Sequence, residues 1–107
     1  IKEVTKQVDI KKIAVHFHDT YGQALANLFA VLQLGVSTID SSVGGLGGCP
    51  YAKGASGNVA TEDVLYMLNG MKIKTGVKID MLLKASHFIN KYLERKSSSR
   101  VFLALSQ

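Results

Sequence analysis

I-A-V-H-F-H-D-T-Y-G-Q-A-L-A-N-L-F-A-V-L-Q-L-G-V-S-T-I-D, residues 13–40, is the stretch that decides the fold. Its first part, Ile13-Ala14-Val15, is apolar and β-branched and leads into His16-Phe17-His18, which together read as a buried strand. Asp19 and Thr20 are candidate caps for a helix that reaches about Leu34, with Leu25, Leu28 and Leu32 at helical spacing and Gly35 as its stop. Residues 36–40 read as a second short strand. Strand, helix, strand with short connections is a βαβ unit, which predicts parallel strands joined by a right-handed crossover.

Immediately after this unit comes V-G-G-L-G-G-C-P-Y-A-K-G-A-S-G-N-V-A-T-E, residues 43–62, with six of the chain's ten glycines, its only proline and its only cysteine. So many glycines point to backbone at positive φ, or to backbone that closely approaches a ligand. Long loops inside compact domains tend to be lids or site loops. A flexible linker is the plainer reading, but Leu46, Cys49, Pro50 and Tyr51 suit a loop that folds onto something. Downstream, residues 61–68 read as a helix with Val64, Leu65 and Leu68 inward, closed by Asn69-Gly70. Residues 71–78 form a basic connection. A last helix starts at Asp80 with Leu82, Ala85, Ile89 and Leu93 as its apolar stripe. Ser97-Ser98-Ser99 breaks it, and residues 101–105 are a short apolar tail. Upstream, residues 1–8 look helical, with Ile1, Val4 and Val8 on one face.

The chain has 107 residues, enough for one domain or part of one, and its 47% hydrophobic content fits a globular chain with a core. It starts at Ile1 with no methionine before Met67, and residues 1–8 read as the tail of a helix whose start is absent. A C-terminal piece of a larger chain is therefore expected. No apolar run approaches the roughly 18 residues of a membrane span, so no membrane partner is expected. The net charge is +5, but no aromatic residues interleave with the basic ones, which argues against nucleic acid. An anionic small molecule such as a phosphate-bearing thioester carrier suits the charge better. One cysteine excludes an intrachain disulfide and fits a reducing compartment.

Two parallel strands need cover on both faces and partners at their edges. The fold class expected is α/β: roughly the last two βα units of a (β/α)8 TIM barrel, with the N-terminal barrel half absent from these 107 residues. In that fold the site lies at the C-terminal ends of the strands. One strand here ends in His16-Phe17-His18 and the other in Asp40-Ser41-Ser42, so both chemistry-bearing segments fall at the same end.

His16 and His18 are two apart on a strand, so both imidazoles leave one face and can chelate a divalent metal. Alternatively one is packed in the core and the other faces solvent. Asp19 could orient a ligand imidazole, or be only a helix cap. Asn58 could be a helix N-cap, or a hard oxygen ligand. With a carboxylate from elsewhere, two imidazoles and an amide oxygen suit Mg2+ or Mn2+ better than a closed zinc site. Cys49 reads as a nucleophile or acid on its glycine-rich loop, with zinc ligation as the competing reading.

His16-Phe17-His18-Asp19-Thr20-Tyr21-Gly22-Gln23-Ala24, with Ala26-Asn27, resembles the metal-binding strand and helix of the 3-hydroxy-3-methylglutaryl-CoA lyase family. Gly44-Gly45-Leu46-Gly47-Gly48-Cys49-Pro50-Tyr51-Ala52 resembles that family's signature loop, and the match continues through residues 54–63. The wider superfamily of isopropylmalate and homocitrate synthases and ketoacid aldolases shares the H-x-H pair and a later G-N. The Cys-Pro-Tyr-Ala loop separates the lyases from them. The resemblance implies cleavage of 3-hydroxy-3-methylglutaryl-CoA to acetyl-CoA and acetoacetate, in leucine breakdown and ketone-body formation. It implies His16, His18 and Asn58 as metal ligands, Cys49 as the catalytic thiol, and a proton-transfer role for His16. It further implies a CoA thioester substrate, a homo-oligomer (a dimer) for the full-length enzyme, and a mitochondrial matrix address in a eukaryote or a cytoplasmic one in a bacterium. The family also places a metal-binding Asp and a catalytic Arg on the first barrel strand, which nothing in this chain matches. These residues alone are therefore expected to be inactive. An aldol-type enzyme condensing an acyl-CoA with a ketoacid, and a non-catalytic interaction fragment, are the alternatives.

Overall fold

The expected βαβ unit is present in the computed structural model, which describes residues 1–48 and 57–106. Strand β1 (Ala14–His16) pairs in parallel with β2 (Thr38–Asp40), in the register Ala14 to Thr38, Val15 to Ile39 and His16 to Asp40. Between them runs α1 (Ala24–Gln33). Its buried face is Ala24, Leu28 and Val31, with Leu25 and Leu32 flanking it, one position round from the expected stripe. Gly35 follows at φ +100, the left-handed stop that only glycine takes without strain.

The helix after the glycine loop, α2 (Thr61–Gly70), turns Val64, Leu65 and Leu68 inward as predicted. Val15, Leu28, Val31, Val36, Val59, Val64 and Leu68 make one core between the strand pair and α1 and α2. The helix closes at Gly70 as expected, and Lys72, at φ +60 just after it, lets Ile73 N–H bond the Leu68 carbonyl at 2.9 Å.

Two expectations fail. Residues 1–8 form no α-helix. They and the next few residues make two 3-10 turns, Val4–Lys6 and Ile10–Lys12. A short segment β-branched at Ile1, Val4, Thr5 and Val8 has too few residues to repay helix nucleation. Of the expected Leu82, Ala85, Ile89 and Leu93 stripe, the last long helix, α3 (Ile79–Tyr92), buries only Leu82. Its buried residues are Leu82, Ser86 and Asn90. Two of those three are polar because the helix packs against a buried carboxyl group, that of Glu62. Its outer face leaves Phe88 and Tyr92 exposed and stacked, with ring centroids 6.4 Å apart. Glu94, at φ +52, then reverses the chain, and Arg95 N–H bonds the Asn90 carbonyl at 3.0 Å.

The apolar tail is a helix, α4 (Arg100–Leu105). Ser99 caps it by accepting from Phe102 N–H at 3.0 Å, and donates its hydroxyl to Asp63 Oδ1 at 2.7 Å. Beside β2 and α2 lies an open cleft of about 690 Å3, lined by Val36, Ile39, Val64, Leu65, Leu68 and Ile73 among others. Its apolar lining lies on the flank of a strand pair that shows no third strand among the described residues. No helix of the described residues is long and apolar enough to cross a membrane.

Candidate active site

The segment that follows the glycine loop is sewn across the ends of both strands. Asp19 N–H bonds the Gly57 carbonyl at 3.3 Å, and Val59 N–H bonds Phe17 O at 3.0 Å. Ser42 N–H bonds Val59 O at 3.0 Å, and Thr61 N–H bonds Ser42 O at 2.9 Å. These bonds make an antiparallel bridge between His18 and Asn58 and a parallel one between Ser42 and Ala60. Residues directly opposite across an antiparallel bridge project side chains to the same face. His18 and Asn58 are therefore neighbours, although 40 positions separate them in the sequence.

His16 and His18 share that rim, with ring centroids 5.4 Å apart and planes inclined by 57°. Both are exposed; neither is the packed core histidine of the plainer reading. Asn58 is no helix N-cap. Ala60 occupies the N-cap position of α2, and the Asn58 amide nitrogen instead donates to the Leu46 carbonyl at 2.9 Å. That bond settles which amide atom is which, because a carbonyl can only accept. The Asn58 Oδ1 atom is buried and accepts no hydrogen bond from the described residues. A buried amide oxygen without a donor is costly unless something electropositive meets it.

Gln23 holds the N-cap position of α1, and Asp19 Oδ1 accepts from Ala24 N–H at 3.1 Å at the start of that helix. The carboxylate beside an imidazole is that of Asp40, whose Oδ2 stands 3.9 Å from His16 Nδ1. The parallel register put it there, opposite His16. Sequence reasoning marked Asp40 only as a strand end. The signal that could have found it is the equal position of His16 and Asp40 at the ends of two parallel strands. Cys49 lies outside the described residues, as do the rest of residues 49–56. Among the described residues there is no group of three or more His, Cys, Asp and Glu able to hold a metal. The donor set that does converge is two imidazoles and one amide oxygen. Its chemistry suits a divalent cation of mixed nitrogen and oxygen preference.

The near foot of the glycine loop is a 3-10 turn, Val43–Gly45, with Gly44 at φ +65 and Gly45 at φ +70. Glu62, fully buried, grips it from below. Gly44 N–H donates to Glu62 Oε1 at 2.9 Å and Oε2 at 3.1 Å, and Ser86 Oγ donates to Oε2 at 2.8 Å. Asn90 Nδ2 in turn donates to Ser86 Oγ at 3.2 Å. Sequence reasoning missed Glu62 because the second position of a helix is an ordinary place for an acid. Replacing it by leucine leaves the Gly44 N–H and the Ser86 hydroxyl buried without an acceptor, at about 1–3 kcal/mol each. The expected result in the full-length protein is a marked fall in the denaturant midpoint; Glu62→Gln, which keeps one carbonyl oxygen, falls less. Equal midpoints for Glu62→Leu and the parent would show that the grip contributes nothing.

The family model described as HMGL-like matches residues 1–89. The mitochondrial hydroxymethylglutaryl-CoA lyase of Mus musculus is 63% identical over 98 residues, covering 92% of this chain and 30% of that relative. The mitochondrial hydroxymethylglutaryl-CoA lyase of Arabidopsis thaliana is 57% identical over 107 residues, covering 100% of this chain and 23% of that relative. The crystal structure of hydroxymethylglutaryl-CoA lyase from Pseudomonas aeruginosa matches with a TM-score of 0.93 at 54% identity, covering 98% of this chain and 35% of that one. This chain thus spans about a quarter to a third of their length. Its α/β fold, a parallel strand pair with flanking helices, is part of the TIM barrel of those lyases. By the match over residues 1–89 and by these identities, the chain belongs to the HMGL-like family.

Proposed function

We propose that these 107 residues are the C-terminal portion of a single barrel domain in a metal-dependent carbon–carbon lyase. The reaction is cleavage of 3-hydroxy-3-methylglutaryl-CoA to acetyl-CoA and acetoacetate, the chemistry of leucine breakdown and ketone-body formation. One observation carries the reading. His16, His18 and Asn58 converge on one rim, and the Asn58 oxygen is buried there with no donor among the described residues. Relatives named for this activity support it.

His16, His18 and Asn58 would hold the cation, Mg2+ or Mn2+, with a carboxylate from outside this chain. When bound, the cation supplies positive charge that makes the substrate's tertiary hydroxyl more acidic and orients its oxygens. His16 assists transfer of that hydroxyl proton, with the Asp40 carboxylate 3.9 Å from its Nδ1. As the oxygen closes to a ketone, the carbon–carbon bond breaks and its electron pair passes to the acetyl-CoA fragment as an enolate. Cys49 then delivers a proton to the enolate carbon. A CoA thioester is thus the substrate and a homo-oligomer the expected assembly. The address follows the relatives: mitochondrial matrix in a eukaryote, cytoplasm in a bacterium.

The test is Mn2+ binding and turnover by the full-length enzyme carrying this segment. Acetoacetate should form from the CoA thioester alone, and Asn58→Ala should weaken Mn2+ binding by about tenfold or more. Turnover that requires an added ketoacid would instead identify a condensing enzyme, and unchanged Mn2+ affinity would remove Asn58 from the ligand set.

A further inference from the structure

Gly44 is held on both sides of its backbone. Its N–H is on the Glu62 carboxyl group, and its carbonyl accepts from three donors of the segment between α3 and α4. These are Ser98 Oγ at 3.1 Å, Ser98 N–H at 3.3 Å and Arg95 Nη2 at 3.4 Å. The Ser98 hydroxyl fills the space that a glycine leaves open: a Cβ added to Gly45 would stand 2.0 Å from Ser98 Oγ. Two residues beyond Gly44, the same turn presents the Leu46 carbonyl to Asn58 Nδ2. A Cβ on Gly47 would stand 2.7 Å from that nitrogen. The amide therefore lies directly on the turn. If the turn shifts, the Leu46 carbonyl moves and the amide rotates with it.

From this chain of contacts we infer that Ser98 is a positioning residue for the metal ligand Asn58. It acts through the Gly44 carbonyl and the Leu46 carbonyl to aim the amide oxygen at the cation. The inference rests on the reading of Asn58 as a ligand. It assigns to the connection after α3, far along the chain from either histidine, a part in metal affinity. Outer partners that orient a ligand commonly change affinity without touching the metal.

The experiment uses the full-length enzyme and measures Mn2+ affinity directly, from the paramagnetic resonance signal of free Mn2+, well below the unfolding temperature. Ser98→Ala should weaken Mn2+ binding about threefold to tenfold, the loss of one orienting hydrogen bond. Ser98→Cys, close in size with a weaker donor, should fold as the parent does and fall in between. In an Asn58→Ala background, Ser98→Ala should have no further effect. Unchanged Mn2+ affinity in both serine variants would overturn the inference. So would an equal further loss in the Asn58→Ala background, which would place the action of Ser98 elsewhere. An Asn58→Ala variant that keeps full Mn2+ affinity would instead sink the ligand reading itself, a result recognisable before any serine variant is made.

Discussion

Replacing Cys49 by alanine in the full-length enzyme will lower turnover by about 10²–10⁴-fold, the usual worth of a positioned general acid. Mn2+ affinity will stay within about twofold of the parent, because the proposed ligands His16, His18 and Asn58 are all unaltered. The proposed carbon–carbon cleavage leaves an enolate that needs a proton at carbon. This chain carries one thiol, on a loop whose near foot is anchored at Gly44 and whose far foot is anchored at Gly57. Alanine keeps the backbone and removes only the acid. Turnover equal to the parent's would take Cys49 out of the mechanism. A parallel loss of Mn2+ would mean that it is a ligand, the competing reading that its residue type allows.

The second large effect is structural. A methyl group on Gly57 would stand 2.0 Å from the Gly45 carbonyl oxygen and 2.4 Å from that of Gly47. Both neighbours are backbone, so no side chain can rotate away, and either the turn or the segment carrying Asn58 must move. Movement of that segment breaks its bonds to Phe17 and Ser42, which hold Asn58 opposite His18. Overpacking of this kind costs about 1–3 kcal/mol or more. Gly57→Ala is expected to lose Mn2+ binding and turnover together and to lower the unfolding midpoint. Gly70→Ala is the control: a Cβ there meets nothing within 4 Å, and the residue is helical. Parent-like Mn2+ affinity in Gly57→Ala would mean that the turn yields freely, and the close fit between Gly57 and the two carbonyls would then have no bearing on the site.

The βαβ unit and the common end of its two strands were legible because each depends on local pattern. A β-branched run, a leucine spacing and a glycine stop report their own segments. The contacts around Glu62 and Ser98 were not legible. They join positions 18 to 54 apart, and no periodicity marks them. The α3 stripe misled for the same reason. Hydrophobic spacing assumes an apolar partner, and the face that packs inward meets a carboxyl group instead. The cap reading of Asn58 failed. A helix start near an asparagine predicts capping only when the side chain has nothing better to do, and here the Leu46 carbonyl claims it first. Asp40 was missed as a neighbour of His16 because 24 positions separate them in sequence, and only the parallel strand register brings them together.

The Glu62 arrangement also limits how this protein can change over generations. Its donors come from two distant segments, the Gly44 peptide and the Ser86 hydroxyl. Losing the acid first strands both donors, and losing the hydroxyl first deprives the acid of one. An apolar interior at this spot lies at least two substitutions away, across a less stable intermediate. Lineages should therefore keep or abandon positions 62 and 86 together.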